Sequence, residues 1–223
     1  MHPTQTLHRQ HILWFFVALT LIAAGLVYHA ATMEVITRDG VVYVEMARAW
    51  SGDAAGVVER YNYHVAYPAL ISGMHRGMTL LGLADSPYSW DYAGQAVSIL
   101  ARLITMVGIF YWARMLTTPR AALITMLLLG LGRKWMGVGS DVLSDSLSCA
   151  FQVWSLVLVL KLLQSLTDDK PRAIAWSLLA GVLVGGAYLV RPEGLAIAVA
   201  GGLMILWVWL RRRPRWYLPI AAG

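Results

Sequence analysis

The feature that most constrains this chain is a series of apolar stretches, each close to the roughly 20 residues an α-helix needs to cross a bilayer. They cover residues 12–31, 92–113, 119–135, 143–164, 172–190 and 194–211, the third being short. Only 13% of the residues are charged and 58% are hydrophobic, whereas a soluble domain carries about 25% charged residues. The fold class implied is an all-α integral membrane protein, a polytopic helix bundle in one transmembrane domain. The net charge of +6 does not describe a nucleic-acid surface, because the basic residues sit at the ends of the apolar stretches. Cys149 is the single cysteine, so no internal disulfide can form. His8, Arg9 and His11 precede the first stretch. That stretch is long for the apolar part of a signal peptide and reads as a retained helix.

Residues 67–84, "YPALISGMHRGMTLLGLA", tempt a seventh span but carry His75 and Arg76 at their centre. Charge decides how they are placed. If this segment spans, the Arg211–Arg215 run and the Arg114/Arg120 loop fall outside the membrane. If it lies flat, Arg9, Arg114, Arg120, Lys161, Lys170, Arg172 and Arg211–Arg215 all fall inside, satisfying the positive-inside rule at every loop. The expectation is six spans, both termini cytoplasmic, and residues 32–91 as an external loop of interfacial amphipathic helices. Asp39, Glu45, Glu59, His64, Asp85, Asp91, Asp141, Asp145, Arg191 and Glu193 then share the external side with Tyr43, Trp50, Tyr61, Tyr63 and Tyr67.

Several of these residues could carry chemistry. In "TRDGVVYVEMARAW", Asp39 shares a helix face with Val42, Tyr43, Met46, Ala47 and Trp50. Aspartate is a preferred N-cap and suits the positive end of a helix, so capping alone accounts for it without excluding catalysis. Asp141 and Asp145 are four apart and, stacked on one helix face, could bind a divalent cation or a hydroxyl-rich ligand. Capping by Ser140 or Asp141, with Asp145 solvated, explains them equally. Arg102 lies deep in an apolar span, where a charge is by default a functional candidate that an anionic headgroup or phosphate would suit. Lys134, with Arg133, either snorkels to the headgroups or helps to hold a phosphate. Arg191 is free to point into the outer cavity, and Pro192 and Glu193 suit the first turn of the following helix. His64, alone among aromatics, and Tyr67 complete the substrate-binding candidates. Neither His/Cys metal spacing nor a glycine-rich phosphate loop is present.

In order, "RDGVVYVEMARAW", "YHVAYPALI", "ARLI", "VLSDSL" and "GAYLVRPEGL" resemble the N-terminal part of a GT-C fold membrane glycosyltransferase of family 39, the protein-mannosyltransferase and aminoarabinose-transferase-like group. The resemblance covers nearly the whole chain after the first helix. It implies a GT-C-like transmembrane core and an acidic catalytic residue in the first external loop, matched by Asp39. It also implies a donor sugar on a polyprenyl or dolichyl phosphate, a protein, lipid or glycan acceptor, and inversion at the anomeric carbon. Such an enzyme sits in a membrane, here a bacterial cytoplasmic one, with its site facing outside. No cofactor is fixed by the resemblance; the lipid-linked sugar is the donor substrate, and a divalent cation is possible.

The chain departs from the pattern in two places. Gly40 stands where many members have a second acid, and Val65 follows His64 where many have proline. Family enzymes continue with further spans, and "RWYLPIAAG" looks like the start of one, so the expectation is an incomplete module. Two other functions compete: an inactive lipid-sugar-binding subunit on the same scaffold, and a small transporter or flippase. The transporter predicts ionisable groups along a path through several spans, and only Arg102 is deep.

Overall fold

The computed structural model describes residues 3–61, 64–83, 85–165 and 170–212. Tyr63 and the residues after 212, including the end of the arginine run, lie outside them. The described residues are helical throughout, without strands. In chain order they form α1 (Pro3–Ala31), α2 (Arg38–Trp50), α3 (Ala54–Arg60), α4 (Ala66–Leu80), α5 (Pro87–Leu116), α6 (Pro119–Leu131), α7 (Arg133–Ser140), α8 (Ser144–Ser165), α9 (Lys170–Val190), a 3-10 turn (Pro192–Gly194) and α10 (Leu195–Arg212).

Four stretches are long and apolar enough to cross a membrane: Gln10–Ala31, Tyr88–Leu116, Ser144–Ser165 and Ala173–Val190. Only 17% of the first and 22% of the last is buried inside the molecule. Their remaining apolar surface, including Trp14, Phe16, Leu178 and Val182, needs a solvent as apolar as itself, which a bilayer supplies. The protein is a polytopic helical membrane protein.

The third stretch differs from the continuous span expected over 119–135. Helix α6 ends at Leu131, and α7 sets off at 66° to it. At 13 residues α6 is about 20 Å long, short of the roughly 30 Å hydrocarbon core. The apolar run stops at Gly132, which takes an extended conformation and is followed by two cations, Arg133 and Lys134. Counted with α7 as one broken span, it makes a fifth crossing. The apolar stretch Pro192–Val208, the 3-10 turn followed by most of α10, is shorter than the four full spans.

Helix α5 is the hub, packing against α1, α2, α4, α6, α7 and α8. Its start is fixed by Pro87 in the first turn and by a reciprocal Ser86/Ser89 capping box. On one side, Ile22 and Leu26 of α1 meet Met106, Phe110 and Met126. On the other, Tyr43, Met46 and Ala47 of α2 meet Tyr67 and Ile71 of α4, Val97 of α5 and Val142. Helices α2 and α4 each bury one face, as their apolar spacing requires. At 15 residues, about 22 Å, α4 is too short to cross a bilayer. It ends where Gly82 adopts φ +89°, a left-handed turn natural to glycine.

Candidate functional site

The site is built where the N-terminus of α2 meets the turn between α7 and α8. Thr37, not Asp39, is the N-cap: its side chain accepts a hydrogen bond from the Gly40 N–H (3.4 Å). The capping role expected of Asp39 is thus taken by its neighbour. Asp39 occupies the first helical turn with an exposed side chain. Gly40 allows the contact beneath it. A Cβ there would stand 3.0 Å from the Val142 carbonyl oxygen and 3.1 Å from the Val142 Cβ.

Asp141 secures this junction. Its Oδ1 accepts the Val142 N–H (2.7 Å) and the Thr37 N–H (3.3 Å), and the side chain is buried. It ends α7 in extended backbone, while α8 begins only at Ser144. Asp141 and Asp145 are therefore not stacked on one helix face, because a turn separates them. Asp141 serves backbone donors and Asp145 serves a guanidinium, so the pair does not converge on a shared cation position. Among the described residues no three His, Cys, Asp or Glu gather into a metal set.

One turn along α2 from Asp39, the Tyr43 hydroxyl meets Ser144 Oγ at 3.0 Å. Ser144 also accepts from Arg191 Nε (3.1 Å), and Arg191 Nη1 donates to Asp145 Oδ1 at 2.7 Å. Arg191 is not free, as the sequence suggests, but fixed by two partners 46 and 47 residues away. Both members of the ion pair are about a third exposed, so its worth is nearer 1 kcal/mol than the several of a buried pair. Burial raises the Tyr43 phenol above its ordinary 10, against the Ser144 bond and Arg191, with Asp39 and Asp145 adding to the rise. The phenol is therefore neutral at physiological pH. Asp39, Asp145 and Arg191 all act on this one hydroxyl, so the network joins α2, α8 and the end of α9.

The other sequence candidates divide. His64 stands edge-on to Tyr188 of α9, centroids 5.9 Å apart. Glu193 is exposed in the 3-10 turn just beyond Arg191. Tyr67 is fully buried, bonded to Ser98 Oγ (2.7 Å) and the Gly94 carbonyl (3.3 Å), with its ring against Tyr43. It supports Tyr43 from below rather than touching a ligand. Lys134 is exposed in the first turn of α7, the end away from Asp141, and does not join the network.

Arg102 is buried at 3% exposure. Its Nη2 donates to the Leu129 carbonyl (3.1 Å) and its guanidinium lies 4.8 Å from the Trp135 ring centroid. Leu129 precedes the α6–α7 break and Trp135 follows it. The last carbonyls of a helix have no intrahelical donor, and Arg102 supplies one where water is scarce. Its Nε has no partner among the described residues. Arg102, expected among the substrate-binding residues, is buried and bridges the broken span.

Sequence reasoning missed Ser144 and the role of Tyr43. The second was within reach, since Asp39 and Tyr43 are one turn apart on a shared face.

An exposed carboxylate thus stands one helical turn from the tyrosine of a Tyr–Ser–Arg–Asp network, on a polytopic helical membrane scaffold. The family of dolichyl-phosphate-mannose-protein mannosyltransferases matches residues 91–222, more than half of the chain, and the chain belongs to that family. It is thereby placed among glycosyltransferases of the GT-C type. No curated protein and no solved structure matches the chain. The matched region holds "ARLI", "VLSDSL" and "GAYLVRPEGL", but "RDGVVYVEMARAW" and "YHVAYPALI" lie before it. The resemblance over the first loop thus rests on the residues quoted for it.

Proposed function

We propose that the chain carries the transfer site of a glycosyltransferase that moves a sugar, mannose or a similar one, from a polyprenyl-phosphate donor to a hydroxyl of a protein, lipid or glycan. The observation that carries this reading is the exposed Asp39 one helical turn from Tyr43, whose hydroxyl joins the Ser144–Arg191–Asp145 network, in a member of this family. Asp39 takes the proton as the acceptor oxygen bonds to the anomeric carbon. The bond from that carbon to the phosphate oxygen breaks, and its electrons leave with the lipid phosphate. One direct displacement inverts the anomeric centre and needs one base, unlike the two carboxylates of glycoside hydrolysis. The departing phosphate needs a cation rather than a proton, and Arg191, held in place by Asp145 and Ser144, is that cation. His64 and Glu193 flank it and contact the sugar or acceptor.

A donor with a lipid tail arrives from within the bilayer, so the site lies at its surface, the external face of a bacterial cytoplasmic membrane with both chain termini inside. The test is Asp39→Asn in the full-length membrane protein, assayed for transfer from polyprenyl-phosphate mannose and other lipid-linked sugars. Transfer should fall by at least 100-fold, the scale on which general-base catalysis works. Undiminished transfer would remove Asp39 as the base.

A further inference from the structure

A polar cleft opens at the other end of α2. It has a volume of about 770 Å³ and lies between Trp50, the outer side of α4 and the first turn of α5. The volume is in the range of small-molecule sites, roughly 300–1,000 Å³. His75 forms its floor. That ring is buried, hydrogen-bonded through Nε2 to Ser89 Oγ (2.9 Å), with Asp85 Oδ1 3.3 Å from the same nitrogen, and stacked on Trp90 with centroids 3.7 Å apart at 10°. One face of Trp90 is thereby taken. Trp50 is different: its indole has no ring contact or hydrogen bond among the described residues, and neither the Ser72 hydroxyl nor the Arg76 guanidinium has a partner there. The walls thus present a flat aromatic ring, three sets of donors (indole N–H, hydroxyl, guanidinium) and a largely exposed carboxylate, Asp85, as acceptor.

This is an unusual set for either of the simpler ligands. A phosphate would gain Arg76 but meet the Asp85 carboxylate. An acyl chain would leave the polar groups unpaired. A pyranose ring meets both demands. Its C–H face lies on an indole, and its hydroxyls both donate to a carboxylate and accept from a guanidinium.

We propose that this cleft is a carbohydrate-binding subsite, holding a neutral sugar ring of a glycan-bearing acceptor. It lies the length of α2 from Asp39, about 17 Å, so an extended acceptor reaches both. The word acceptor rests on the transfer reading of Asp39; the sugar chemistry of the cleft does not.

The test is saturation-transfer NMR on the full-length protein in a detergent without sugar headgroups, with methyl α-mannopyranoside and maltotriose as probes. Wild type should transfer saturation to the ring protons. Trp50→Leu and Arg76→Gln should each lower it at least fivefold, and Asp39→Asn should leave it unchanged. Arg76 is exposed, so its variant tests the site even where the Trp50 variant fails to fold. Absence of transfer to both saccharides in wild type overturns the subsite, as does equal transfer in Arg76→Gln. Binding of inorganic phosphate in place of sugar, lost in Arg76→Gln, also overturns it and assigns the cleft to an anionic headgroup. Saccharide binding in an Asp39→Asn protein that still transfers sugar removes the base and keeps the subsite. Loss of transfer in Asp39→Asn without saccharide binding in wild type does the reverse.

Discussion

Tyr67 shows how a side chain outside the chemistry can decide it. Its hydroxyl is shared between Ser98 and the Gly94 carbonyl, and its ring backs Tyr43. Tyr67→Phe keeps the ring and removes the hydroxyl's bonds to Ser98, which still donates to the Leu143 carbonyl, and to the Gly94 carbonyl, at a cost of about 0.5–1.5 kcal/mol. A thermal melt in detergent should show a lower Tm, and transfer per folded molecule should fall less than in Asp39→Asn. At this scale the sequence was partly legible. The shared face of Asp39 and Tyr43 followed from helical spacing, and the carboxylate's place near a helix start was plain. The cap itself went to Thr37, because Thr37 and Asp39, two positions apart, are both good N-cap types and only backbone geometry chooses between them. The partners of Arg191 were hidden, since Ser144 and Asp145 lie across a whole helical hairpin.

Among elements, the junction of α2 with the α7–α8 turn and the break between α6 and α7 matter most. Gly40→Ala places a methyl group against the Val142 carbonyl. The first turn of α2 must shift, costing about 1–3 kcal/mol and moving Asp39 with it. Transfer should drop although the base is present, and Tm should fall. Arg102→Leu removes the donor to the Leu129 carbonyl and the charge over Trp135. The unpaired carbonyl costs about 1–3 kcal/mol, read as a lower Tm, with transfer per folded molecule preserved. A strong loss of transfer at unchanged Tm would return Arg102 to the substrate. The break was not legible because apolar content continues to Gly132 without proline, the usual marker of a kink. The deep arginine was its one sign. It was read as a ligand site because an intramembrane charge carries that default.

For the whole molecule, hydropathy conveyed the most: an all-helical membrane bundle with its long spans nearly in place. What it could not convey was which apolar stretches are full-length helices, because packing and local breaks set helix length. The proposed orientation puts the end of α4 outside and the chain's basic end inside. In a Cys149→Ser background, Gly82→Cys should react with an impermeant thiol reagent added to intact cells. Arg213→Cys should react only after the membrane is opened. The reverse pattern would invert the topology. One last consequence follows from Asp141, whose carboxylate grips the backbone just before Asp39. The proposed base belongs to the stretch before residue 91, and its seat belongs to the stretch that defines the family. Because the grip is on a backbone N–H, a first loop borrowed from another member should seat on Asp141 whatever its side chain at position 37, proline excepted, provided position 40 stays glycine.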